Sequence, residues 1–281
     1  MPKSITIITE DDCSEILGTR YFLAMLMEIW LQQGIRVRVT GGCQYIPADI
    51  AILHVDSTVV ADEYLELAAR YPVTINGGVK DISKSAFSRQ LLKRDDPYQG
   101  QVIVKTDANY GGMNEYRMGL QSGSSLYQAA GVERPWRKRE FLDSYNYPVF
   151  DHIKDVPYGV WSNSKLIVEK FLPERLENGD YMHRQYLFLG EQETANWFAA
   201  STPVVKGSTS TSRGRLEQIP EYLRELRKAD GFDYGRFDYT EVDGEVHLFD
   251  MNKTSALGDL SRSLISEETL LAFANAIYHF D

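Results

Sequence analysis

The stretch RFDYTEVDGEVHLFDMN, Arg236–Asn252, decides the fold: two alternating runs flank Asp243-Gly244, and the second run ends on polar residues. Asp-Gly between such runs is a strong hairpin signal. A strand carrying Leu248, Phe249 and Met251 gains nothing in packing from Asp250 and Asn252, so something must compensate those polar groups. Register decides what. A two-residue loop pairs Val242 with Glu245, sets Asp238 opposite Phe249 and sends Asp238 and Asp250 to opposite faces. A three-residue loop, Val242-Asp243-Gly244 with Gly244 left-handed, pairs Glu241 with Glu245 and Asp238 with Leu248; Asp238, Asp250 and Asn252 then share a face. Alternate side chains of a strand stand roughly 6.6 Å apart, so these three could converge on one or two cations. Two carboxylates and an amide oxygen are hard ligands suited to Mg²⁺, which also takes water and phosphate oxygens. The competing reading is an edge hairpin with one wet face.

Working outward, 281 residues are enough for one large domain or two. With 43% hydrophobic and 25% charged residues the composition is that of a globular protein, and no apolar run approaches the roughly 20 residues of a membrane span. MPKSITIITEDD is not a signal sequence, and Cys13 and Cys43 are too few for a disulfide framework, so a reducing cytoplasm is the expected compartment. A net charge of −10 argues against a nucleic-acid surface, and RPWRKRE (134–140) reads as a solvated basic face.

From residue 4, short β-branched runs alternate with helical periodicity (SITIITE, YFLAMLMEIWLQQG, IRVRVTGG, ADIAILHVD, VADEYLELAARYP, VTING). Residues 1–80 therefore read as a small N-terminal α/β layer on a mostly parallel sheet, without a dinucleotide fingerprint. KDISKSAFSRQLLKRDD (80–96) reads as a helix, QVIVKTDANYGG (101–112) as a strand and glycine-bearing loop, SKLIVEKFLPE (164–174) and YMHRQYLFLGE (181–191) as strands, and PEYLRELRKAD (220–230) as a helix. The stretch 114–164 shows no decisive periodicity. The five histidines have no HxxxH or HExxH spacing, and GSTSTSRG lacks phosphate-loop spacing.

Lys105 at the end of VIVK, ANYGG, IVEKFL, an arginine in RQYLFLGE and the hairpin ending in Asp-x-Asn resemble, in that order, the ATP-grasp superfamily of carboxylate-amine ligases. The resemblance spans roughly residues 80–262. It implies an ATP-grasp fold of two α+β subdomains behind the N-terminal domain 1–80: a domain 81–281, with an ATP-lid subdomain at about 100–170 and a catalytic subdomain at about 171–281. It implies that Lys84, with Lys80 as rival, and Lys105 contact phosphates, and that Gly111-Gly112 form a flap over them. Glu169 would meet the adenine amino group, Lys170, Phe171 and Leu172 would line the base, and Glu177 or Glu174 would hold the ribose. Arg184 would contact the reacting phosphate. One of Lys206, Arg213 and Arg215, with Arg213 taken as the catalytic candidate, would add a cation near the γ-phosphate or substrate. Asp238, Asp250 and Asn252 would hold Mg²⁺ or Mn²⁺. Asp250 replaces the glutamate commoner in that family, which reaches further and bridges two ions more easily.

The reaction so implied is ATP-dependent amide or peptide bond formation between small-molecule or peptide carboxylates and amines through an acyl phosphate. An ATP-grasp kinase and a non-catalytic nucleotide-binding regulator are the alternatives. No nucleic-acid or membrane partner is expected, and the family's oligomers admit a homodimer. Arg20, near Glu15 in EDDCSEILGTRY (10–21), is a candidate for a substrate carboxylate.

Overall fold

The computed structural model describes residues 1–10, 21–118, 134–257 and 264–280. Glu15 and Arg20 lie outside the described residues. The first sheet contains β1 (Ser4–Thr9), β2 (Arg36–Gly41), β3 (Ile50–Leu53) and β4 (Val73–Ile75), all parallel, in the order β2-β1-β3-β4. Parallel strands are covered on both faces, which explains their unbroken apolar runs. Helix Phe22–Gln32 packs Phe22, Leu26 and Trp30 on Ile5, Ile7 and Ile52, joined by Phe273 and Ile277 from the far end of the chain. Ile8, Ala51 and Leu53 face the other way, onto Leu67, Ala68 and Tyr71.

A second, antiparallel sheet is formed by β5 (Val102–Thr106), β6 (Val149–Phe150) and β7 (Leu166–Lys170), with β5 in the centre. The third contains β8 (Glu174–Arg175), β9 (Tyr181–Leu189), β10 (Gln192–Ala200), β11 (Ser212–Leu216), β12 (Tyr234–Val242) and β13 (Glu245–Asn252). Its order is β11-β10-β9-β12-β13, with β8 paired to β9. One face packs Tyr186, Phe188, Phe237 and Tyr239 beneath helix Glu221–Ala229, which contributes Leu223. The other face is partly open. Among the described residues no helix is long and apolar enough to cross a membrane.

Two expectations are corrected. Residues 80–96 hold only a four-residue helix, Lys84–Phe87. Beyond it the chain is extended along β7: Leu92 N–H donates to the Val168 carbonyl and Lys170 N–H to that of Gln90. Edge-strand amides need partners, and this segment supplies them in preference to its own helical bonds. The hairpin turn is the two-residue one, Val242 opposite Glu245, with Asp243 and Gly244 at φ +54° and +79°, as a type I′ turn requires. The ladder then passes from Tyr239–Leu248 to Asp238–Asp250, leaving Phe249 as the extra residue of a bulge. The bulge, and not a longer turn, sets the two carboxylates opposite each other.

Candidate active site

The bulge explains the mixed character of β13. Leu248 and Met251, three residues apart, both reach the core under the helix, while Phe249 and Asp250, adjacent in sequence, both face a cavity of about 400 Å³. A regular strand would send neighbours to opposite sides. On β12 the period stays at two, and Arg236, Asp238 and Thr240 all line that cavity.

The cavity lies where the three sheets meet. At one end, Ile103 and Lys105 of β5, Glu169 and Lys170 of β7, and Phe171 and Leu172 form a wall. Glu169 is 2% exposed and does not stand open: Lys105 Nζ lies 2.8 Å from it, and Ser88 donates a short hydrogen bond to it. The main chain beside it is already engaged. Phe171 N–H donates to the Gln101 carbonyl, and the Leu172 carbonyl accepts from Thr240 Oγ1 at 3.1 Å.

In the middle stands the hairpin face. Asp238, 4% exposed, is clamped by Arg236 through Nε and Nη2 at 2.9 and 3.0 Å. Burial raises its pKa, but Arg236 and His183 outweigh that and hold it well below the ordinary aspartate range. Lys84, 3% exposed, lies 3.3 Å from Asp250 Oδ1. Burial pulls its amine down, and Asp250, with Tyr147 and Glu169 adding to it, more than restores it. Lys206 reaches the same space, its pKa lowered by burial against the pull of Asp250 and Asp238. Three basic side chains thus surround two carboxylates, leaving the face receptive to anions.

At the far end the first sheet contributes Asp56, just beyond β3, held by Tyr21 Oη (2.9 Å), Asn114 Nδ2 (2.9 Å) and Thr254. Asn109 ties the ends together: its N–H donates to Thr58 Oγ1 at 2.8 Å and its amide to Asn252 Oδ1 at 3.1 Å.

Several sequence candidates converge here: Lys84, Lys105, Glu169, Lys170, Phe171, Leu172, Asp238, Asp250, Asn252 and, of the three loop cations, Lys206. Others are placed elsewhere. Arg184 shares its side of β9 with Tyr186 and is bound to Glu174 (2.8 Å and 2.5 Å) and Glu241 (3.0 Å); its neighbours His183 and Gln185 face the cavity instead. Arg213 is exposed on β11. Glu177 is exposed in the turn before β9, and Glu174 is taken by Arg184. Gly111 and Gly112 are buried against residues 140–144: a Cβ on Gly111 would sit 2.2 Å from the Leu142 carbonyl oxygen. The neighbouring Asn109 and Tyr110, not the glycines, reach the cavity. Arg236 and His183 were missed, although Arg236 precedes Asp238 by two residues, the spacing that puts both on one face.

The donor set fits a divalent cation. Asp238, Asp250 and Asn252 line one face of the cavity; Asp250 Oδ1 has Lys84 3.3 Å away, and Asn252 accepts from Asn109 through Oδ1 while its Nδ2 lies 3.4 Å from Asp238 Oδ2, so its oxygen would reach an ion on exchanging that partner. Among the described residues no group of three or more His, Cys, Asp or Glu side chains is placed to hold a metal ion, so an ion here would rest on the two carboxylates and complete its shell with other oxygens.

No family profile and no curated protein matches the sequence. Solved structures do match the fold. An ATP-grasp ligase associated with RiPPs from Chryseobacterium gregarium, in complex with ADP and leader and core peptides, aligns with a TM-score of 0.57 at 10% identity over 98% of this chain and 96% of that one. D-cycloserine synthetase DcsG aligns at 0.55 with 12% identity over 98% and 99% of the two chains. The ATP-grasp ligase PsnB, complexed with a precursor variant, Mg and ADP, aligns at 0.53 with 13% identity over 99% and 98%. The cavity between these three sheets thus lies in a fold similar to that of these solved ATP-grasp ligases.

Proposed function

We propose that this protein is an ATP-dependent ligase that joins a carboxylate to an amine, releasing ADP and phosphate. The observation that carries the reading is the single cavity that runs from an apolar wall, past basic residues around paired carboxylates, to polar groups of the first sheet. The wall beside Phe171 and Leu172 suits a nucleobase. Lys84, Lys206 and Arg236 offset the charge of a polyphosphate, and Lys105 joins them if it exchanges Glu169 for phosphate. A divalent cation held by Asp238, Asp250 and Asn252 would neutralise and align phosphate oxygens. The substrate carboxylate, placed on the Arg236 side, attacks the γ-phosphorus and gives an acyl phosphate and ADP. An amine near Asp56 then attacks the acyl carbon, forming the C–N bond as the C–O bond to phosphate breaks. No protein nucleophile is needed, because alignment and charge do the work.

Calorimetric titration of ATP with Mg²⁺ into the wild type and into the double variant Asp250→Ala, Asn252→Ala tests this. Mg²⁺-dependent wild-type binding that the variant loses, followed by ADP release with pairs of carboxylic acids and amines, is the expected result. A folded wild type that binds no nucleotide overturns the nucleotide site, and a phosphorylated product without an amide overturns the ligase step.

A further inference from the structure

We infer that the acid substrate is N-acylated, an N-acyl amino acid or the C-terminal residue of a peptide, and that the Gln185 side chain reads the neutral N–H beside its reacting carboxyl. The inference rests on the ligase reading for that carboxyl and goes beyond it in naming the group next to it.

Gln185 is 8% exposed and lines the cavity, and among the described residues its side-chain amide has no hydrogen-bond partner. The strand registers place it in a row. Asn196 of β10, Gln185 of β9, Asp238 of β12 and Asp250 of β13 stand opposite one another in turn, so all four share one face. Asn196 is buried, and its Oδ1 has no hydrogen-bond partner. Side chains opposite each other in such a ladder start roughly 5 Å apart, so one N–H of Gln185 can serve that oxygen. The other N–H and Oε1 then stay open to the cavity. They lie beside Asp238 and diagonal to Arg236, which pairs with Leu187 two residues further along β9.

A carboxamide edge with one donor and one acceptor is complementary to a ligand that offers both. An amino acid acylated on nitrogen offers them from one α-carbon: Gln185 Nε2 donates to a carboxyl oxygen while Oε1 accepts the N–H. A count of acceptors separates the acylated nitrogen from a free one. Arg236 engages both oxygens of Asp238, Lys84 faces Asp250 Oδ1 at 3.3 Å, and Asn252 Oδ1 accepts from Asn109. An ammonium would bring three donors and a positive charge into a face already lined by Arg236, Lys84 and Lys206. Surplus donors buried there are costly. An acylated nitrogen brings one donor and no charge, and Gln185 Oε1 meets it.

The test gives the full chain ATP with Mg²⁺, hydroxylamine as the amine, and either the common amino acids or their N-acetyl derivatives, in both enantiomers, and measures ADP and hydroxamate. For an acid that is accepted, the α-acetoxy analogue then replaces the N–H by an ester oxygen. Hydroxamate from the N-acetyl acids and not from the free ones is expected, with kcat/KM lower by about 10- to 100-fold for the acetoxy analogue. That difference should disappear in Gln185→Leu and survive in Gln185→Glu, which keeps an acceptor. The ratio between the two acids is what is read, so a general effect of either variant on folding cancels. Free amino acids accepted as well as their N-acetyl derivatives, or acetamido and acetoxy acids turned over equally by the wild type, overturn the inference and leave the ligase reading intact. A protein that binds ATP with Mg²⁺ but activates neither set also overturns the inference, whereas one that binds no nucleotide overturns the ligase reading and the inference with it.

Discussion

His54 follows the last residue of β3 and is held as a neutral ring. It is 2% exposed, neither nitrogen has a hydrogen-bond partner, and Tyr21 meets it edge-on at 4.9 Å. Burial pushes its pKa down to about 3 from 6.5. A base whose folded pKa is depressed binds its proton more readily when unfolded, so stability is lost as pH falls from about 6.5 towards 3. Between pH 7 and pH 5 this one residue should remove about 2 kcal/mol. Urea unfolding at both pH values should show that loss in the wild type and a correspondingly shallower one in His54→Phe; equal losses would refute the assignment. The residue scale also shows what a single sequence hides. Asp250 and Asn252 were legible as polar groups that need compensation. Which of His183, Arg184 and Gln185 faces the cavity was not, because all three are polar and only the register of β9 against β12 separates them. Among the loop cations, Lys206 precedes β11 and reaches inward, whereas Arg213 alternates outward on β11 itself.

At the scale of elements, two glycines at positive φ make a controlled comparison. Gly244, at +79° in the hairpin turn, has open space where a Cβ would go, whereas Gly111, at +69°, has the Leu142 carbonyl oxygen 2.2 Å from that point. Gly244→Ala should cost about 1 kcal/mol, the backbone penalty alone. Gly111→Ala adds a steric conflict and should cost about 3 kcal/mol. Thermal melts rank the two, and hydrogen exchange at the Leu142 amide, which donates to the Gly111 carbonyl at 2.9 Å, should accelerate only in the second. A smaller loss at Gly111 than at Gly244 would show that the 140–144 segment yields freely. The hairpin, the parallel sheet and helix Glu221–Ala229 were legible because turn chemistry and period announce them. The bulge was not: Phe249 is compatible with either face, and nothing local marks a residue as extra. The stretch after Lys84 misled for a related reason, since its apolar residues fit a helix as well as the extended segment that β7 imposes.

For the whole molecule, Asn76 joins the first sheet to the third. Its Oδ1 accepts from the amides of Asp233 and Tyr234, both at 3.0 Å, its Nδ2 donates to the Tyr234 carbonyl at 2.8 Å, and its own amide donates to Asp233 at 2.8 Å. It is 1% exposed, at φ +62°. Asn76→Ala strands the buried amide of Tyr234 and the part-buried one of Asp233 and should cost about 3 kcal/mol, splitting one calorimetric transition into two as the first sheet loses its hold on β12. A single transition at the wild-type temperature would count against the coupling. Another of these long ties has a consequence in time. The Trp30 indole donates to the Ala274 carbonyl at 2.8 Å, across 244 positions. A ribosome adding about 5 to 20 residues per second therefore makes the tryptophan's partner roughly 12 to 50 seconds after the tryptophan itself. Through that interval the helix bearing Phe22, Leu26 and Trp30 waits beside a sheet that lacks Phe273 and Ile277, which makes the nascent chain, long before it can bind any substrate, a client for whatever shields apolar surface during synthesis.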